Sequence, residues 1–130
     1  MKTLKILSII GVMTFALYSF TTFTQEEWKV PEKYENMKNP TDPAVDIAIG
    51  KSLYSKHCKS CHGSKGRGDG PKADSVDTEI GDFTEDAFKE QSDGALYYKT
   101  FIGRDDMPSF KKKITDEKDQ WMVINYIKKL

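Results

Sequence analysis

Between residues 63 and 82 the chain carries Gly63, Gly66, Gly68, Gly70 and Gly81 together with Pro71, more than half of its nine glycines. No regular helix or strand tolerates that density: glycine loses more backbone freedom on ordering than any other residue, and proline removes a backbone donor. The stretch is therefore a long loop. It interrupts a segment, residues 43–130, too small and too poor in large apolar side chains to build a comfortable core from protein alone. Something else is expected to complete that core, with the loop wrapped around it.

The chain has 130 residues, room for one domain. Twenty basic residues balance twenty acidic ones and the isoelectric point is near 6.7, so there is no chain-wide basic field and nucleic acid is not an expected partner. The apolar residues are unevenly placed. Lys2 and Lys5 precede an almost uninterrupted apolar run over residues 6–23, ended abruptly by Gln25, Glu26 and Glu27. A positive flank before such a run reads as an export signal, so the protein is expected in the bacterial periplasm. Residues 19–24 offer no small-residue pair of the kind a signal peptidase cuts, and the run approaches the length of a minimal bilayer span. Residues 1–25 are thus either a removed signal or a retained anchor. In the second case residues 6–23 tether the domain to the outward face of the inner membrane.

Residues 26–42 hold Pro31 and Pro40, with Pro43 just beyond, and few apolar side chains. They read as an extended arm apart from the core, leaving 43–130 as the domain proper. Ile47, Gly50, Leu53 and Tyr54 recur at helical spacing, and Pro43 suits a first turn, which predicts a helix over 43–56. Thr84 and Ser92 are N-cap candidates for two short helices, the second ending at Gly103. Thr115, ahead of Asp116 and Glu117, opens a terminal amphipathic helix carrying Trp121, Val123, Ile124, Tyr126, Ile127 and Leu130. No segment alternates with period two and none signals a hairpin. The expected fold class is all-α, about four helices joined by long loops.

The chemistry is concentrated in Cys58-Lys59-Ser60-Cys61-His62, a C-x-x-C-H pattern of the kind that attaches a c-type haem. Two thiols at this spacing can add across the two vinyl groups of a porphyrin, and the next residue brings an imidazole to the iron. An exported chain whose two cysteines are both consumed this way has no free thiol left to oxidise. Two other uses compete. A redox dithiol would need a strand before it and a parallel sheet around it, for which there is no sign. A zinc site from His57, Cys58, Cys61 and His62 would draw all its ligands from one short stretch rather than from two separated pairs. For a sixth iron ligand the best candidate is Met107: Pro108 pushes it out of the helical region into an extended strap, and a thioether favours reduced iron. Met1 and Met13 fall in the export segment, Met37 in the arm and Met122 on the terminal helix.

With C-x-x-C-H after a first helix, Gly68-Asp69-Gly70-Pro71 behind it, Met107-Pro108 downstream and an aromatic terminal helix, residues 43–130 resemble a small bacterial class I cytochrome c. The resemblance implies one haem c, bound through thioethers to Cys58 and Cys61 and ligated by His62 and Met107. It implies that the Pro71 carbonyl accepts a hydrogen bond from the other nitrogen of His62. Gly50 and Tyr54 would form the face on which the terminal helix crosses, through Val123 and Tyr126. Arg67 and Arg104 are candidates for the haem propionates and equally read as surface arginines. The implied role is electron carriage by Fe(III)/Fe(II) cycling, not enzyme catalysis, between redox proteins or membrane respiratory complexes that dock transiently. Two alternatives stay open: a haem subunit of a membrane respiratory complex, or an open-site haem enzyme or ligand sensor. Against the last, His57 sits beside the attachment motif and cannot serve the far side of a haem.

Overall fold

The computed structural model describes residues 27–44 and 47–130, so the expected export segment or membrane tether lies outside the described residues. Among the described residues six α-helices follow in order: α1 (Glu32–Glu35), α2 (Ile47–His57), α3 (Lys59–His62), α4 (Asp86–Lys89), α5 (Asp93–Phe101) and α6 (Glu117–Ile127), with a 3-10 turn at Ala73–Ser75. Among the described residues there is no strand, and one isolated bridge pairs Arg104 with Met107. The fold is all-α, short helices joined by long loops, as the sequence leads one to expect. No helix among the described residues is long and apolar enough to cross a membrane.

The architecture is organised by α2 crossing α6. A Cβ on Gly50 would lie 2.1 Å from the Met122 carbonyl oxygen and 3.0 Å from the Tyr126 Cβ, so two backbones meet where one residue has no side chain. Tyr54, one turn on, packs its ring 5.3 Å from that of Tyr126. Gly50 and Tyr54 therefore do form the crossing face, but Met122 backbone, rather than Val123, closes on Gly50. Val123 is turned into the core with Tyr54, Leu96, Phe101, Trp121 and Ile124, all fully buried. Each aliphatic or Phe side chain among them contributes about 1.5–3 kcal/mol by leaving water. α5 packs on the same cluster, with Tyr97 stacked on Trp121 at 4.5 Å and its hydroxyl donated to buried Gln120, whose amide donates to the Ile114 carbonyl.

Local signals place most helix ends, with three departures. Ser92 caps α5 as expected, accepting from the Ala95 amide. Thr84 does not cap α4, because its amide and hydroxyl are both donated to the Asp82 carboxylate; the helix begins after Glu85. Asp116, not Thr115, caps α6, accepting from the Asp119 amide. Residues 43–44 form a turn in which Asp42 accepts the Ala44 amide, and the described helix starts at Ile47.

The segment before α2 is not an arm standing apart. After Pro31 it makes the single turn α1, and it lays Tyr34 and Met37 against the core cluster. Gly94 of α5 admits it: a Cβ there would sit 1.8 Å from the Tyr34 carbonyl oxygen. Asn39 donates to Asn125 of α6 at 2.6 Å, and Asn125 donates to Thr41 at 2.9 Å. Proline content argued for extension, but tertiary hydrogen bonds and a glycine gap on α5 hold the segment down.

Candidate functional site

Cys58 lies where α2 ends, its amide donating to the Tyr54 carbonyl at 2.8 Å. The chain then makes one tight turn, α3, in which the Cys61 and His62 amides both donate to the Cys58 carbonyl, at 3.1 and 3.0 Å. Gly63, at φ 80°, reverses it, and its carbonyl accepts the buried Tyr54 hydroxyl at 2.6 Å. The glycine loop then folds back onto this turn. Gly68 donates to the His62 carbonyl, Gly70 to that of Cys61 and Lys72 to that of Ser60, at 2.8–3.0 Å. A Cβ on Gly70 would lie 2.5–2.7 Å from the Ser60 and Cys61 carbonyls, so the loop closes this tightly because glycine stands there. Pro71 sits between two of these anchors.

Inside the knot, Cys58 is buried, Cys61 half-buried, and the two thiols are unbridged. Burial, with Cys61 beside it, pushes the Cys58 thiol up to about 12, opposite to the activation a redox dithiol requires. With no strand among the described residues either, that alternative has no structural support. Burial pushes the His62 imidazole down to about 4, so it is neutral at ordinary pH, the form that ligates a metal. Its ring stacks on Phe83 at 4.5 Å, and Phe83 on Phe88 at 4.4 Å. Among the described residues no three His, Cys, Asp or Glu gather as a metal-binding group, so His57, Cys58, Cys61 and His62 do not form a zinc cage. His57 instead packs edge-on to Phe110, its pKa lowered by burial and by Lys56 and Lys113.

Met107 lies apart from the knot, on the strap after α5, yet packs against the same apolar cluster as Cys58. Its backbone is in a bridge rather than a helix, as Pro108 predicts. Two ties hold the strap that nothing in the local sequence announced. Ser109 donates to the Phe101 carbonyl at 2.6 Å, and the Asp106 carboxylate accepts the Asp77 and Thr78 amides, both at 3.0 Å, with the Thr78 hydroxyl. Asp106 thereby joins the strap to the far end of the glycine loop. Phe83, which faces His62, was equally unforeseen; a lone aromatic in a polar loop carries no such signal. Arg104, a candidate for a propionate, is engaged by Asp105 at 3.2 Å and by the Trp28 ring.

Two unbridged thiols, a neutral imidazole and a glycine loop pressed against the backbone that carries them suit haem c. One further observation supports the fit. His62 Nδ1 is buried without a hydrogen-bond partner. An imidazole that ligates iron through one nitrogen donates from the other, and Nδ1 is left available for that role. The implied bond from His62 to the Pro71 carbonyl is nevertheless not formed in this structure. Cys58, Cys61 and His62 are the residues able to hold the group.

Comparison with known proteins agrees with this geometry. No curated protein matches the chain. Among solved structures it is similar to a chain of the reducing HAO-like protein complex of Kuenenia stuttgartiensis, at 29% identity and a TM-score of 0.61. The likeness covers 81% of this chain but half of that one. Residues 47–130 match the family described as Cytochrome c, a span holding α2 to α6 and every residue of the knot and strap. With a covalent haem implied and electron transfer as its general function, the chain belongs to the cytochrome c family.

Proposed function

We propose that the protein is an exported mono-haem electron carrier in which Cys58 and Cys61 form the thioether anchors and His62 and Met107 are the axial ligands. The observation that carries this reading is the closure of the C-x-x-C-H turn by Gly68, Gly70 and Lys72, which leaves His62 half-buried and neutral, with its buried Nδ1 unpartnered. Bound haem supplies a one-electron Fe(III)/Fe(II) couple. The chain's own residues do the rest. Cys58 and Cys61 prevent loss of the group, and the backbone knot fixes the direction of His62. Phe83, Phe88 and the aromatic cluster behind Cys58 keep water away, and the Asp106 clamp presents Met107. Ligands held this firmly rearrange little on reduction, which favours electron transfer to transiently docked redox proteins over bond-making catalysis. Likeness to a chain of a larger complex favours a second reading, delivery of electrons as a subunit within such an assembly.

The test is maturation in a host that attaches c-type haem. The product should give the haemochrome spectrum of thioether-linked haem at one haem per chain. Met107→Ala should abolish the weak near-infrared methionine-to-iron band and lower the potential. A colourless yet folded mature chain would overturn the proposal; an unchanged band in Met107→Ala would overturn the ligand assignment. Elution of the native protein with tightly bound partners would select the subunit reading.

A further inference from the structure

We propose that Trp28, on the segment ahead of the haem domain, is a positioning residue for Met107. The inference rests on Met107 being an iron ligand and adds what holds that ligand in place. α5 ends at Phe101, and the backbone turns at Gly103, φ 80°, into the strap. A Cβ on Gly103 would lie 2.4 Å from the Met107 carbonyl oxygen, so corner and ligand backbone are in direct contact. Across the corner, Arg104 and Met107 exchange both backbone hydrogen bonds, at 2.8 and 2.9 Å. Where the Arg104 backbone goes, the Met107 backbone follows.

The Trp28 indole grips this corner from outside. The Arg104 guanidinium lies 4.7 Å from its ring centre, within cation–π range, and the Lys99 ammonium lies 5.9 Å from the same ring. Lys99 belongs to the last turn of α5 and Arg104 to the strap, so a single ring engages both sides of the Gly103 turn. Lys99 is itself steadied by donating to the Gln91 side-chain carbonyl. The ring has a firm footing, because its segment is fastened to α5 by Tyr34 on Tyr98 at 4.7 Å and by the close approach at Gly94. Asn39 fastens it to α6. The segment is a buttress built on α5 and α6 and ending at the methionine corner. A thioether is a neutral, weakly held ligand, so its occupancy at the iron depends on how rigidly its strap presents it.

Imidazole added to the ferric holoprotein competes with Met107, and loss of the near-infrared methionine band reports the displacement. Trp28→Ala is expected to raise the apparent imidazole affinity about three- to tenfold, the scale of a partly desolvated cation–π contact. Trp28→Phe, which keeps a ring face, should return most of the way to the parent. Arg104→Met should give a similar rise, and adding Trp28→Ala to it should have less effect than Trp28→Ala alone, since the two act through one contact. If Trp28→Ala titrates like the parent while Met107→Ala has lost the band, the buttress is wrong and the ligand reading stands. If Met107→Ala keeps the band, the ligand reading falls and the buttress with it. Should Trp28→Ala fail to mature, Arg104→Met and Trp28→Phe carry the same test: parent-like titration in both overturns the proposal.

Discussion

The α2–α6 crossing and the glycine knot beneath His62 both bring backbones into contact through a glycine, at Gly50 and at Gly70, but they are stabilised by opposite means. At the crossing, Gly50 meets the Met122 carbonyl, and behind that contact lie Tyr54, Val123 and Ile124, fully buried, so burial holds the helices together. In the knot, Gly70 meets the Ser60 and Cys61 carbonyls, and what holds the loop is a run of backbone hydrogen bonds to residues 60–62 around half-exposed side chains. Hydrogen bonds of this kind are worth about 1 kcal/mol each net of water, less than one buried aromatic. A region built that way depends more on any group bound against it, whereas the crossing can stand on its own side chains.

The largest expected effect separates the two directly. The double variant Cys58→Ala, Cys61→Ala should lose thioether-linked haem entirely, and amide exchange at Gly68, Gly70 and Lys72 should accelerate well before exchange within α6. Equal acceleration in both regions would break the comparison. Next, Gly50→Ala forces a Cβ to 2.1 Å from a carbonyl that only a helix shift can relieve, and should cost about 3 kcal/mol in denaturant unfolding of the holoprotein. Haem attachment should survive it. Gly70→Ala, with clashes at 2.5–2.7 Å in a loop that can yield, should cost about 2 kcal/mol and should instead reduce the fraction of chains carrying haem. If Gly50→Ala rather than Gly70→Ala impairs attachment, the division of labour is reversed.

The smallest effect is a pH dependence at the loop's outer end. Thr84 hydroxyl and amide hydrogen bonds hold the Asp82 carboxyl below its usual range. A carboxylate depressed in the fold stabilises it above the unfolded pKa, and that contribution is lost as pH falls through the lower folded value. Asp82→Asn should therefore be slightly less stable than the parent at neutral pH, with the gap closing in acid. A gap that widens on acidification would contradict the assignment.

Much of the helical frame was legible in advance because its signals are local. Ser92 lies three residues before the amide it accepts, and Gly50 and Tyr54 are one turn apart on one face. The knot was legible as a loop but not as a fold: five glycines announce freedom, not which carbonyls they will approach. The seating of residues 27–42 was not legible, because proline spacing describes backbone preference and says nothing of the gap at Gly94 that receives Tyr34. Pro71 itself sits in the expected loop, between the Gly70 and Lys72 anchors.

The residues alone point to thioether attachment at Cys58 and Cys61 with His62 beside them, to the departure of Met107 from helix at Pro108, and to a cofactor completing so small a core. These follow from bond lengths, side-chain reactivity and chain length, which are fixed before folding. Tertiary structure decided that Asp106 clamps Thr78, that Phe83 faces His62, and that Trp28 reaches Arg104. Such pairs lie far apart along the chain and have no short-range signature. They exist because closing the helices brings distant side chains within a few ångströms, where weak directional contacts become worth making.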